Sequence, residues 1–300
     1  MVEKIPYYRL RDFSEKLTAT FSFLRQNFKP LGKAILFVCG PIILVMAAIQ
    51  LYIGNALAYE IGLEFEGITG RVKSYYATGY LMGALLISLA QLSVVCVTYG
   101  YMLCYQEKGP NQVTLKDTWN RALNLFGPIL GTYLVLFLAS IAVGTISIIL
   151  LMIPFFIFMV FWSIVPAMVA FEKVSPFTAL SRSVQVMGEK WFSTIGLLIV
   201  LSIIVYSFSM FATLPVLLIQ LFGGSFATEA QFGDSTSEAL LMASILATVA
   251  STVLMFLIVI PYVGLAFQLF NLVERKEHRG FMMEIAQLGE QAIDDDEDTF

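Results

Sequence analysis

The chain alternates between long tracts without charge and short segments that collect charge. Uncharged runs of 26, 33, 50, 38 and 35 residues follow Lys33, Lys73, Arg121, Lys190 and Glu238. A helix needs about 20 apolar residues to cross the hydrocarbon of a bilayer. Because the tracts are continuously apolar and do not alternate with polar positions, they predict membrane helices rather than barrel strands.

Six crossings account for the five tracts. The 50-residue run is long enough for a helical hairpin with a turn near 151–154, and each of the other runs accommodates one crossing. The pattern predicts an all-α polytopic bundle that forms one membrane domain over residues 1–280. The six transmembrane helices are expected at about 35–57, 79–104, 128–150, 154–171, 193–220 and 240–269.

Composition and charge place this bundle in a membrane with both termini on one side. Hydrophobic residues make up 58% of the chain and charged residues only 13%, whereas soluble proteins carry charge at about a quarter of their positions. Sixteen Lys and Arg residues fall on the side of the termini and two on the other side. The positive-inside rule therefore predicts a multi-pass inner-membrane protein with cytoplasmic termini. The net charge of −4 says nothing about nucleic acid, because the basic groups lie at the membrane surface and the acidic excess comes from the C-terminal tail. No nucleic-acid partner is predicted.

The segments before the first, third and fifth crossings carry the pattern of amphipathic interfacial helices, at about 12–29, 114–126 and 175–188. Asp12, Thr114 and Ser175 are the expected N-caps. Pro30 is expected to end the first helix. One apolar stripe of that helix consists of Phe13, Leu17, Phe21, Leu24 and Phe28.

These segments suggest a threefold repeat of an amphipathic helix followed by a transmembrane hairpin. Arg121 and Arg182 each stand seven residues after their cap, and Gly127 and Gly188 each stand thirteen residues after it. The alternative is that these segments are ordinary amphipathic connectors, and the sequence leaves both interpretations open.

The predicted crossings contain no Asp, Glu, Lys, Arg or His, and this pattern argues against a pump that uses buried carboxylates. No catalytic, cofactor-binding or metal-binding residue is predicted. His278, the one histidine, lies in a charged run without the further ligands that zinc requires. The three cysteines, within predicted crossings, are expected to be small apolar side chains.

Two sets of residues are candidates for a structural or binding role. Prolines within crossings are expected to kink their helices, and the structural interpretation is favoured over a cavity-forming one. These prolines are Pro41, Pro128, Pro166, Pro215 and Pro261. The second set comprises charged residues at the interface that could bind lipid headgroups or anchor the amphipathic helices. They are Arg25, Lys29, Arg121, Glu172, Arg182 and Lys190.

The C-terminal region 281–300 is predicted to form a short cytoplasmic helix and a disordered acidic tail. Phe281, Ile285 and Leu288 recur at helical spacing and suggest a docking surface. The run 294–298 is entirely acidic.

The stretch 156–203 carries a pattern seen in a known family. Pro166 and Glu172 end a crossing, a short helix then reads Ala179-Leu180-Ser181-Arg182-Ser183, and Lys190-Trp191 leads into the next crossing. This stretch resembles the membrane domain of some glycerophosphoryl diester phosphodiesterases and of related six-helix bacterial membrane proteins of unassigned role. In those phosphodiesterases the chemistry belongs to a separate barrel domain with acidic and histidine metal ligands, for which this chain has neither the length nor the residues.

The leading functional hypothesis is a non-enzymatic membrane protein that organises lipids or partner proteins at the bacterial inner membrane. It needs no cofactor, and its partners are membrane lipids and a membrane protein. The alternative is a permease for a neutral or lipidic substrate. A third, weaker hypothesis is a membrane enzyme that borrows residues from a partner. Arg182 is expected either to anchor its helix to Glu172 or to bind a lipid phosphate.

Overall fold

The structure is a computed structural model that describes residues 4–64, 72–110, 112–149, 152–229 and 234–286. The helices are α1 Phe13–Glu64, α2 Val72–Lys108, α3 Leu115–Ile149, α4 Ile153–Ser163, α5 Val165–Glu172, α6 Pro176–Met187, α7 Trp191–Glu229, α8 Asp234–Leu257 and α9 Val259–Glu277. A short 3-10 helix, Gly188–Lys190, joins α6 to α7, and a further helix at 279–286 follows α9.

The predicted all-α polytopic fold is confirmed. In the described part of the chain, six helical segments are long and apolar enough to cross a membrane, so the chain is a multi-pass membrane protein. They are Phe13–Tyr52, Leu81–Lys108, Leu115–Ile148, Ile153–Glu172, Trp191–Met210 and Ile245–Glu277. The predicted hairpin turn is found where α3 ends at Ile149 and α4 begins at Ile153.

The helices pack so that α1 lies between α2 and α8, with α3 beside α2 and α7 beside α8. Helix α9 contacts α1, α2, α5 and α7, and every residue from Val263 to Glu274 is buried. We call the end of the bundle where α9 finishes and residues 4–12 pack the basic end. It also contains the connections from α2 to α3 and from α5 to α7.

Large apolar side chains remain exposed along the outward faces of the spanning helices. Phe137 and Leu138 in α3, and Ile199 and Ile203 in α7, are more than half exposed. In water such a surface would be unfavourable, but on a membrane-spanning helix it is the surface that contacts lipid tails.

All three predicted N-caps form. Asp12 Oδ1 accepts a hydrogen bond from the Glu15 backbone N–H at 2.7 Å, and Glu15 accepts from the Asp12 N–H at 2.8 Å. Thr114 and Asp117 make the same reciprocal pair, at 3.2 and 3.1 Å. Ser175 Oγ accepts from the Thr178 N–H at 3.2 Å, with proline at the first position of α6.

The expectation that Pro30 ends the first amphipathic helix is wrong. Helix α1 continues through Pro30 to Glu64 as one 52-residue helix. Phe23 and Asn27 before the proline and Leu31 and Ala34 after it are all buried on the same side. A continuous helix keeps both sets packed, and that gain outweighs the one backbone hydrogen bond that proline removes.

The amphipathic segment at 114–126 is likewise continuous with the crossing that follows it, because α3 runs through Pro128. Only the third segment forms a separate helix, α6, which ends at Gly188 with φ 45°. The three segments therefore differ in how they connect to their crossings.

The five candidate kink prolines fall into two groups. Pro166 and Pro261 each lie within three residues of a break, at Ile164 between α4 and α5 and at Ile258 between α8 and α9. Pro41, Pro128 and Pro215 lie inside helices without such a break. Since proline removes the hydrogen bond to the carbonyl four residues earlier, the two breaks have a local cause. Leu288 and the acidic run 294–298 lie outside the described residues.

Candidate functional site at the basic end

Residues 4–12 fold into the basic end. The Tyr7 side chain is buried, its hydroxyl donates a hydrogen bond to the Met102 carbonyl at 2.8 Å, and its ring stacks on Phe270 with 4.6 Å between centroids. The Ile5 backbone N–H donates to the Tyr105 hydroxyl at 3.0 Å. Burial raises the pKa of the Tyr7 phenol well above its ordinary value. This segment therefore completes a core that the spanning helices leave open.

Arg11 is a buried cation held mainly by carbonyl groups. Its guanidinium donates to the carbonyls of Pro6 and Tyr7 and lies 5.2 Å from the centre of the Phe267 ring. Its backbone N–H donates to Asn271 Oδ1 at 2.7 Å. Burial, reinforced by the charge of Arg9, lowers the pKa of Arg11. No carboxylate of the described residues forms an ion pair with it.

Lys16 is a second buried cation, with a relative exposure of only 3%. Its ammonium donates to Gln268 Oε1 at 2.9 Å and to Ser193 Oγ at 2.8 Å. Gln268 Nε2 in turn donates to Thr194 Oγ1 at 2.8 Å. Within the described ranges Lys16 forms no direct ion pair, so its ammonium is hydrogen-bonded by neutral acceptors. This network joins the starts of α1 and α7 to the middle of α9.

Replacing Gln268 tests whether Lys16 is charged in the folded protein. We expect Gln268→Leu to lower the free energy of unfolding by about 2–3 kcal/mol. The buried ammonium of Lys16 loses one of its two acceptors and keeps Ser193 Oγ, and the Thr194 hydroxyl loses its donor. Gln268→Glu places a carboxylate beside Lys16 and should stay within about 1 kcal/mol of wild type. Thermal unfolding in detergent measures both. A Glu variant less stable than the Leu variant would contradict a charged Lys16.

Tyrosines of α2 line the core of the basic end. Tyr99, Tyr101 and Tyr105 are fully buried, with exposures of at most 1%. The Tyr101 hydroxyl donates to Asn27 Oδ1 at 2.8 Å, and the Tyr105 hydroxyl donates to Gln26 at 2.9 Å. Tyr101 and Tyr105 therefore join α2 to α1. The Tyr99 ring packs instead against Phe171 and Tyr262, and its buried hydroxyl has no hydrogen-bond partner among the described residues.

Four charged side chains form a cluster where α5, α6 and α9 meet. Arg182 donates to Glu172 at 2.5 and 3.2 Å and to Glu277 at 2.5 Å. Arg279 pairs with the same two carboxylates, at 3.3 and 2.8 Å. The side chain of Glu172 is only 4% exposed. The hydrogen bond to Glu172, followed by that to Glu277, raises the pKa of Arg182. This arrangement matches the anchoring alternative for Arg182.

Arg121 takes part in a similar contact one segment earlier. It pairs with Glu107, near the end of α2, just as Arg182 pairs with Glu172 at the end of α5. In both places an arginine seven residues after the N-cap reaches back to a glutamate at the end of the preceding span. This shared contact supports a relationship between the second and third segments. In the first segment, Arg25 makes no such pair within the described residues.

The remaining candidate residues are exposed. Arg25 and Lys29 project from α1, and Lys190 projects from the 3-10 helix. Lys33 is also exposed, four residues after Lys29. None of these four cations pairs with a carboxylate in the described part of the chain. Lys190 belongs to the same candidate set as Arg182 and Glu172, but it takes no part in the ion pair between them.

A cleft of about 340 Å³ opens between residues 4–11 and the first turns of α1. Its charged lining residues are Lys4, Arg9, Arg11 and Glu15. Thr18, Ala19 and Ser22 line the cleft on the side of α1.

Sequence reasoning missed the buried polar groups. Lys16, Thr20 and Asn27 share one face of α1, four and seven residues apart, and all three point into the bundle. Their spacing is visible in the sequence. On α9, Gln268 and Asn271 are also polar and buried. Together with the polar positions on α1, they are the sequence signal that could have indicated a polar interior.

Comparison with known proteins finds no matching family model, curated protein or solved structure. The resemblance of residues 156–203 to the phosphodiesterase membrane domain therefore stays a prediction.

Proposed function

We propose that this protein is a non-enzymatic module of the bacterial inner membrane that organises anionic phospholipids, and through them membrane-protein partners. The observation that carries the proposal is a row of exposed cations on α1, Arg25, Lys29 and Lys33, which we call the basic row. Its members recur every four residues and have no carboxylate partner within the described residues.

The basic row lies beside an exposed apolar surface. Phe21 and Phe28 on the same part of α1 are exposed, and Phe28 is 75% exposed. On a helix these phenylalanines lie on a face next to the basic row, since successive residues turn by about 100°. Cations next to exposed aromatic rings match the boundary between phosphate headgroups and acyl chains.

The other arginines of the candidate set are less suited to binding lipid. Arg121 and Arg182 already pair with glutamates, so a phosphate would have to compete with a carboxylate. Lys190 is free of such a pair and lies at the same end of the bundle. The excess of basic residues at this end supports a cytoplasmic orientation, in which they face the anionic leaflet.

A permease has less support. Transport requires a path through the basic end, and there the rings of Tyr7, Phe23, Phe267 and Phe270 pack against one another. Lys16, Gln268 and Thr194 bond to one another, as do Tyr101 and Asn27, although the buried Tyr99 hydroxyl has no partner among the described residues. Such a filled interior is typical of a structural core rather than of a substrate pathway.

The test is a triple variant, Arg25→Gln, Lys29→Gln and Lys33→Gln, purified with its bound lipids. Each cation near an anionic surface contributes roughly 1 kcal/mol to lipid binding. After allowance for lipids held elsewhere, we expect the triple variant to lose about 1.4 kcal/mol or more of binding free energy. This loss corresponds to an at least tenfold lower ratio of anionic phospholipid to protein. Quantitative mass spectrometry of the extracted lipids measures this ratio.

The matched control removes the same charge from exposed positions elsewhere at the basic end, with Arg9→Gln, Lys116→Gln and Lys173→Gln. It should retain its anionic lipid, and both triple variants should unfold at the wild-type temperature. Equal lipid loss in the two triple variants, or no loss in either, would contradict the proposal.

A further inference from the structure

The helix at 279–286 directly follows the last candidate membrane-spanning segment of the described residues. Helix α9 is the last part of a membrane-spanning segment and ends at Glu277. His278 has a left-handed backbone, with φ 52°, and the next helix starts at the following residue. Two helices joined by one residue in this conformation change direction sharply. The second helix therefore starts beside the end of this segment and runs in a different direction.

A buried carboxylate fixes the start of this helix. Glu274 is only 6% exposed, and its two oxygens accept the backbone N–H groups of Gly280 at 2.5 Å and Phe281 at 3.4 Å. No cation of the described residues forms an ion pair with Glu274. Its negative charge therefore stabilises the N-terminus of the 279–286 helix, whose free N–H groups favour an anion.

Contacts with residues 4–12 fix the rotation of the helix. A Cβ atom on Gly280 would lie 2.4 Å from the carbonyl oxygen of Tyr8, so only glycine allows this approach. The guanidinium of Arg279 lies 5.8 Å from the centre of the Tyr8 ring and also pairs with Glu172. The side of the helix that carries Gly280 therefore faces the protein.

The opposite side of the helix is apolar and uncovered. Phe281 and Met282 are 60% and 61% exposed, and Ile285 is 48% exposed. At about 100° per residue these three side chains fall within an arc of roughly 100°. Three large apolar side chains on one side of a fixed surface helix indicate contact with an apolar phase.

Two exposed cations precede this helix, which itself carries the exposed carboxylate of Glu284. Arg275 and Lys276, one turn before it, are both exposed. Arg275 has no ion-pair partner among the described residues, and Lys276 donates to the Gln185 carbonyl at 2.7 Å. Cations at the level of the headgroups and apolar side chains on one face are the pattern of a helix that lies in the membrane interface.

We propose that the 279–286 helix lies along the membrane surface and inserts Phe281, Met282 and Ile285 into the leaflet where α9 ends. Its ligand is the lipid surface itself. Glu274, Gly280 and Tyr8 hold it in this orientation. The proposal is independent of the basic row on α1, because it rests on a different helix and different side chains.

The experiment uses the full chain in vesicles of phosphatidylethanolamine and phosphatidylglycerol, with spin labels at Phe281→Cys, Met282→Cys, Ile285→Cys and Glu284→Cys. The native cysteines are buried, and wild-type protein treated with the same label reports any background. Collision rates with oxygen and with a water-soluble nickel chelate are measured for each label. We expect labels at 281, 282 and 285 to collide several-fold more with oxygen, relative to nickel, than the label at 284.

Two reference labels calibrate these values. Phe137→Cys, on the exposed face of α3, reports hydrocarbon, and Lys173→Cys, in the connection before α6, reports water. The proposal would be overturned if the ratio of oxygen to nickel collision rates at 281 and 285 equalled the ratio at Lys173→Cys. That result would indicate a surface for a protein partner instead. An oxygen excess at 284 equal to that at 281 would also overturn it, because insertion would then not be one-sided.

Discussion

Replacing Glu172 with alanine is expected to lower the free energy of unfolding by about 3 kcal/mol or more, because it removes the carboxylate shared by Arg182 and Arg279. Glu172 is 4% exposed and the two arginines are about a quarter to a third exposed. Breaking a buried ion pair leaves an uncompensated charge. Here one substitution removes a carboxylate from two arginines, and Glu277 is then the one carboxylate of the cluster that pairs with both guanidinium groups. Thermal or denaturant unfolding in detergent measures the loss.

The chain supplies a matched control for this prediction. Glu107 pairs with Arg121 in the corresponding place but is 56% exposed, so Glu107→Ala should cost less than about 1 kcal/mol. Arg182→Ala should lower the folded yield as Glu172→Ala does and leave the content of bound lipid unchanged. Equal stability of the two glutamate variants would contradict an anchoring role, and a selective loss of lipid in Arg182→Ala would assign Arg182 to lipid binding.

Tyr7→Ala is expected to lower the free energy of unfolding by about 3–5 kcal/mol. The ring of Tyr7 contacts Phe23, Tyr105, Phe171, Phe267 and Phe270, with centroid distances from 4.6 to 6.5 Å. Removing it opens a cavity among side chains that belong to four different helices.

A graded series separates packing from hydrogen bonding at this position. Tyr7→Phe keeps the ring and loses only the bond to the Met102 carbonyl, so it should cost about 1 kcal/mol. Leu10→Ala provides a control in the same segment, since Leu10 is 52% exposed. If Tyr7→Ala unfolds at the wild-type temperature, residues 4–12 do not pack into the bundle in solution.

The six crossings could be predicted because they depend on one property, the absence of charge over at least 20 positions. The N-caps at Asp12, Thr114 and Ser175 could also be predicted, since each depends on residues within three positions. The contact of Arg182 with Glu172 was predictable for a similar reason: the two residues flank one short connection. Local signals therefore predicted the elements and the contacts within a connection.

The polar interior could not be predicted in the same way. Lys16 has the sequence appearance of a surface residue on an amphipathic helix, and only its contact with Gln268, 252 positions later, places it inside. The continuation of α1 through Pro30 has a similar cause, because residues on both sides of the proline are buried against other helices. These features depend on tertiary packing, which cannot be derived directly from a single sequence.

The hydrogen bond between the Arg11 backbone and Asn271 joins residues 260 positions apart. At about 5–20 residues per second, the ribosome needs on the order of tens of seconds to make the chain between them. Residues 4–12 must therefore wait for α9 to insert before they reach their final place. During that interval the rings of α1 and α2 that Tyr7 will contact lack this partner, so the basic end closes only after α9 is in place.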